Sequence, residues 1–314
     1  MDKKQLKRIK NRKGFIAALD QNSSRIPDIL KKYGISEVEY NSEEEMYNFV
    51  HEMRTRIISS PGFTSEHILG VILSEHTMNN KIKGKFTADY LWENKGILSI
   101  LKVDQDKEEK ENDVQLMKPL TNLDYILSEA KRQNVFGVKI HSVIYGANKD
   151  GIKDIVSQQF QYGKKIYDAG FIPLLEIEID NYSENKAESE KILKTEIMKH
   201  LKFLDEEVFM FRVSIPAKPN FYKAVTENPN VLGVVALLEG YTQEDAVNKL
   251  ANNDNMIAGF SKALLKNLHV DQDDEKFHSV LKAAAEKIYQ ISLSYVLYLH
   301  PIATTQLIPI TNKL

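Results

Sequence analysis

Cysteine is missing from all 314 residues of the chain. That excludes disulfides, thiolate nucleophiles and cysteine-held metals, and it fits a reducing, cytoplasmic compartment. Net charge is scarce: 42 Lys and Arg against 44 Asp and Glu leave −2, so nothing draws the whole chain to nucleic acid or to a membrane. No apolar run reaches the roughly 18 residues needed to span a bilayer. Ile291 to Leu299 comes nearest, and His300-Pro301 stops it. The basic stretch Met1 to Gly14 is followed by an apolar run, Phe15 to Leu19, too short for a signal peptide. Neither GxGxxG nor GxxxxGK[ST] occurs. His51-Glu52 opens like HExxH but lacks the second histidine, and the other histidines are scattered. Neither a metal nor a cofactor is therefore expected.

What is present is a regular alternation. Eight apolar runs read as strands: Gly14–Asp20, Ile68–Glu75, Ile97–Asp104, Val135–Ile144, Phe171–Ile179, Val208–Pro216, Val231–Glu239 and Met256–Leu264. The last could run on into a helix. Polar, helix-compatible segments such as Ser42–Ile58, Ile152–Ala169 and Ala187–Leu204 lie between them. Near-continuous apolar strands alternating with amphipathic helices specify a parallel sheet covered by helices. Eight such units predict a (β/α)8 TIM barrel, here over residues 1–290, with a tail of different character from 291 to 314. The charge run Asp104–Asp113 reads as a solvated loop.

Several of these strands carry charge near the C-terminal end, the face on which this barrel builds its sites. Asp20, Glu75, Lys102, Lys139, Glu176 with Glu178, Arg212 and Glu239 are so placed. His141, two residues beyond Lys139, faces the same way. A lysine amine flanked by carboxylates suits imine chemistry, with a carboxylic acid shuttling protons. Arg212 interrupts the run Val208–Pro216, and two readings of it stand: a strand-end cation paired with a carboxylate, or a member of an active site.

Colinear motifs add to this. GFIAALDQ at Gly14–Gln21, MRTRIISSPGF at Met53–Phe63, GVILSEHTM at Gly70–Met78, LKVD at Leu101–Asp104, NDVQLMKPL at Asn112–Leu120 and SIPAKPNFY at Ser214–Tyr222 resemble the bacterial form of class I fructose-bisphosphate aldolase. The resemblance implies the same barrel. It also implies descent from an enzyme of glycolysis, a carbon-carbon lyase that splits fructose 1,6-bisphosphate into dihydroxyacetone phosphate and glyceraldehyde 3-phosphate. By resemblance, Asp20 handles a substrate hydroxyl, Lys102 and Lys139 line the substrate path, Glu176 is the general acid and base, and Glu178 is its strand neighbour.

At other positions the chain departs from that pattern. Arg212 stands where the family has its imine-forming lysine, and arginine stays protonated in proteins. His141 replaces an arginine, and Lys262 replaces another, keeping the charge without the bidentate fork. Leu238-Glu239-Gly240 stands for a phosphate-binding Ser-Gly-Gly, of which Gly240 alone is retained, and the glycines after the first strand are replaced in Gln21-Asn22-Ser23-Ser24. The expectation is an aldolase homologue with impaired catalysis and weakened sugar-phosphate binding. The alternatives are an active enzyme with a relocated amine such as Lys139, or a non-catalytic binding or regulatory protein.

Overall fold

The computed structural model describes residues 2–21, 23–104, 106–238, 240–260 and 262–299, the backbone alone for 243, 262, 291 and 293–299. Glu239, the side chain of Lys262 and the tail from 300 lie outside the described residues.

Eight parallel strands close into a barrel: β1 (Phe15–Leu19), β2 (Ile68–Ser74), β3 (Leu98–Lys102), β4 (Val135–Ile144), β5 (Ile172–Ile179), β6 (Phe209–Ser214), β7 (Val231–Leu237) and β8 (Met256–Phe260). Their order is β3-β2-β1-β8-β7-β6-β5-β4, and β4 pairs back onto β3 with Lys139 opposite Lys102. Closure leaves no parallel edge exposed. It also explains why the strands read as continuous apolar runs. One face looks into the barrel and the other is covered by helices, so both must be apolar.

Alternation at a period of two splits the core. Ile16, Leu98, Ile100, Ile172, Leu174, Met210, Val235 and Ile257 fill the interior with Phe136. Ile9 of α1 (Lys3–Lys10) is fully buried in the same cluster. The opposite strand faces, including Ala17, Leu175 and Phe211, pack against the helical shell of α2 (Ile26–Tyr33), α3 (Glu43–Ser59), α4 (Leu123–Ala130), α5 (Lys149–Asp168), α6 (Lys186–Leu201), α7 (Gln243–Ala251) and α8 (Asp274–Leu299). Phe160 of α5 lies 5.4 Å from Phe209 and 5.9 Å from Phe211, ring centre to ring centre. In α8, Phe277, Leu281, Ala285 and Ile288 recur on one face and are buried, which places the helix on the barrel.

Some boundaries differ from the sequence reading. β7 stops at Leu237 rather than Glu239. β8 stops at Phe260, and a short helix, Lys262–Leu265, takes up the remainder of that run. α8 runs through residue 290, the expected end of the barrel unit. The charge run is solvated as read over most of its length, with residues 106 and 108–113 exposed, but it is anchored. Lys107 forms a bridge with Met117, and Val114–Gln115 pairs antiparallel with Val143 and Ile144 of β4. Among the described residues no helix is long and apolar enough to cross a membrane.

Candidate functional site

At the C-terminal ends of the strands the inward positions change from apolar to charged. Ala18 is followed two residues on by Asp20, Leu174 by Glu176 and Glu178, and Met210 by Arg212. On β4, Lys139, His141 and Val143 point the same way, and they line one cavity of about 1100 Å3 together with Ala18, Asp20, Glu176, Glu178 and Arg212. Asp20, Lys102, Lys139, His141, Glu176, Glu178 and Arg212 are thereby brought to a single mouth.

Glu176 is the hub. Its Oε2 lies 2.7 Å from Nη1 of Arg212 and 2.8 Å from Nζ of Lys139. Lys139 donates a second bond, 2.6 Å, to Oδ2 of Asp20. All four side chains are buried. Register explains the meeting: Glu176 is directly opposite Arg212 on β6 and opposite His141 on β4. Gly259 of β8 leaves the neighbouring space open, since a Cβ there would stand 2.9 Å from Val235 and 3.6 Å from Nε of Arg212.

Burial alone would drive all these groups toward neutrality, but the pairing outweighs it. Arg212 and Lys139 hold the Glu176 carboxyl well below the usual carboxylate range. Lys139, chiefly, holds Asp20 below its ordinary value. The two carboxylates raise Lys139 above its ordinary value against the desolvation that would lower it. The result is an alternating chain of charges, Asp20⁻–Lys139⁺–Glu176⁻–Arg212⁺. His141 extends it, with Nε2 at 3.0 Å from Glu178 and 3.6 Å from Glu176. Burial raises Glu178, and its hydrogen bond with His141 more than reverses this.

The ligand atoms of His141, Glu176 and Glu178 all lie within 4.8 Å of one another, a spacing that could hold a metal ion. Glu176 already carries two cations, so a third positive charge would meet Arg212 and Lys139 at close range.

Other expected residues lie apart from this chain. Lys102 lines the cavity and approaches Asp104 at 3.8 Å. Gly240 sits in a turn with φ +84°, next to Asn181 rather than to the charged cluster. Leu238 is buried in the outer core. Lys262 starts the helix after β8.

Two polar residues escaped the sequence reading. Arg54 of α3 is 1% exposed. Its guanidinium donates to Ser74 Oγ at 3.0 Å, Thr77 Oγ1 at 2.6 Å and Gln21 Oε1 at 3.2 Å, tying the ends of β1 and β2 together. Burial pulls Arg54 down to about 10, and nearby Asp20 opposes the shift. A charge four residues after Val50, inside the stripe Met46, Val50, Met53, Ile57, was the available signal. The second is Lys107, which lines the cavity from the folded 106–118 segment.

No family model matches the chain. It is 48% identical over 295 residues to the class 1 fructose-bisphosphate aldolase of Clostridium acetobutylicum, a likeness spanning 94% of this chain and 100% of that protein. The structure superposes with a TM-score of 0.69 on a fructose-bisphosphate aldolase from Plasmodium falciparum, solved with TRAP and a small-molecule inhibitor. That likeness covers 94% of this chain and 96% of the other at 15% identity, and bears on the fold alone.

Proposed function

Because the chain belongs to the class I fructose-bisphosphate aldolase family, we propose that it is a member in which the imine route at residue 212 is closed. In this reading the barrel mouth is kept as a weakened sugar-phosphate site. One observation carries the reading: the guanidinium of Arg212 is locked 2.7 Å from Glu176, where the resemblance expects an amine beside the general acid and base. A guanidinium supplies no nucleophile at neutral pH, and in a serine protease loss of the nucleophile costs about a millionfold in turnover. Glu176, held as a carboxylate by two cations, also lacks the proton a general acid must give.

The phosphate end supports the same reading. Leu238 offers no hydroxyl where the resemblance expects a serine, and it is 5% exposed among apolar neighbours. Fructose 1,6-bisphosphate should therefore bind no tighter than about 1 mM, roughly −4 kcal/mol. Isothermal titration checks this, and micromolar binding would refute it.

An active enzyme with a relocated amine is the second reading. Lys139 suits it poorly: held between Asp20 and Glu176 at 2.6 and 2.8 Å, it stays an ammonium. The deciding experiment is Arg212→Lys with dihydroxyacetone phosphate and borohydride, mapped by peptide mass spectrometry. The variant should gain a trapped adduct at residue 212 while bisphosphate cleavage stays poor. Cleavage at ordinary family rates by the unmodified protein would overturn the proposal.

A further inference from the structure

Lys107 stands apart from the other lysines of the cavity. Lys139 is consumed by two ion pairs, and Lys102 approaches Asp104 at 3.8 Å. Lys32 and Lys266 are exposed at the rim. Lys107 is half-buried, lines the cavity, and has no carboxylate at ion-pairing distance among the described residues.

Its backbone is fixed. Glu108 N donates to Leu116 O at 2.9 Å, and Lys118 N to Asp106 O at 3.2 Å, on either side of the Lys107–Met117 bridge. Gln158 of α5 clamps Met117 through both its amide groups, at 3.0 and 2.9 Å. The strand Val114–Gln115 then joins β4. The lysine is thus held at the cavity by a built segment.

A second observation points to the same corner. Asp104 is 8% exposed, and its Oδ1 is buried with no hydrogen-bond partner among the described residues. Such an acceptor is costly unless something donates to it. Burial lowers Lys107 from its ordinary value and outweighs the opposing pull of Asp104 and Glu178.

We propose that Lys107 is the reactive amine of this cavity and condenses with the carbonyl of a small polyhydroxy aldehyde or ketone. The ammonium gives one proton to solvent in the cavity, and the free amine bonds to the carbonyl carbon. That oxygen then takes a proton from solvent, gains a second from nitrogen, and leaves as water. A protonated imine remains, so charge and atoms balance without an oxidant or reductant. Glu176 is tied to Arg212 and Lys139, so the imine is a covalent capture rather than a step in carbon-carbon cleavage.

The inference rests on reading the mouth as a carbonyl-sugar site, but its failure is visible separately. The full chain is incubated with dihydroxyacetone or glyceraldehyde, reduced with borohydride and mapped by peptide mass spectrometry, while cleavage of fructose 1,6-bisphosphate is assayed in parallel. The adduct should concentrate on Lys107. Lys107→Arg, which keeps the charge and removes the nucleophile, should abolish it with an unchanged circular dichroism spectrum. Modification spread over Lys32 and Lys266, modification at Lys139, or none at Lys107 would each overturn the proposal. Ordinary cleavage rates would instead overturn the reading of Arg212 and leave the adduct map standing on its own.

Discussion

The two halves of the barrel interior are built on the same strands and solve opposite problems. Toward the N-terminal ends, Ile16, Ile172, Leu174, Met210 and Ile257 pack as an apolar core. One step further along, Asp20, Glu176 and Arg212 occupy equivalent inward positions, with Lys139 joining them from β4. The lower layer gains from removing apolar surface from water, a contribution that involves no titrating group. The upper layer gains nothing comparable, because desolvating four charges offsets much of their attraction. Such a layer is weak support for stability, so its presence argues for a role at the mouth.

The comparison can be broken most forcefully at the hub. Glu176→Leu removes the carboxylate that Arg212 and Lys139 share, and removing one partner of a buried pair costs about 3–5 kcal/mol. Denaturant unfolding should show that loss, and a cost below about 1 kcal/mol would mean the cations relax into solvent. The matching cut in the lower layer is Met210→Ala, expected to cost about 2–5 kcal/mol through lost transfer and a cavity. The two differ in their response to conditions. The Met210 penalty should stay constant as pH falls, whereas the Glu176 penalty should hold through mildly acid buffer and shrink only below 4.5, the ordinary value of its carboxyl. Equal pH slopes would remove the distinction between the layers.

Arg54 tests the boundary between core and mouth. Arg54→Met leaves Ser74, Thr77 and Gln21 without their buried donor, a loss of about 2 kcal/mol for groups stranded in this way. Hydrogen exchange should rise first at the ends of β1 and β2. Exchange spread evenly over the barrel would argue that Arg54 serves general packing only.

Much of this arrangement is legible in the chain itself. A period of two along each strand puts Asp20, Lys139, Glu176 and Arg212 on inward positions, and alternation of strands with helices supplies closure. The need to pair a buried charge anticipates a carboxylate against Arg212; register then selects Glu176, its opposite number on β5. Strand ends read too long at Glu239 and Leu264, because apolar character continues there into the outer core and a short helix. Arg54 is visible as a charge inside an apolar helical stripe. Lys107 is not, since its placement depends on pairing between the 106–118 segment and β4, a long-range contact that a run of charged residues does not advertise.

The smallest expected effect concerns acid stability. Asp20 and Glu176 are held below their ordinary values of 3.8 and 4.5. Their contribution is therefore present above those values and lost as pH falls through the depressed folded-state ones. Lys139 works in the opposite sense: raised above 10.5, its contribution is present below that value and lost only as pH rises through the folded one. The ionic layer should accordingly hold from about pH 4 to about pH 10. Arg212→Met removes the largest single attraction that lowers Glu176 and leaves Lys139 and His141 in place. Glu176 should then protonate at higher pH in the folded state. The onset of acid unfolding should move upward by about 1 in pH, equivalent to roughly 1.4 kcal/mol. The lower layer supplies the control, because Met210→Ala should lower stability without moving that onset relative to its own neutral value. Fluorescence-monitored acid titration of both variants measures the difference. An onset unchanged in Arg212→Met would mean that Lys139 alone keeps Glu176 ionised, and that the arginine contributes position rather than charge.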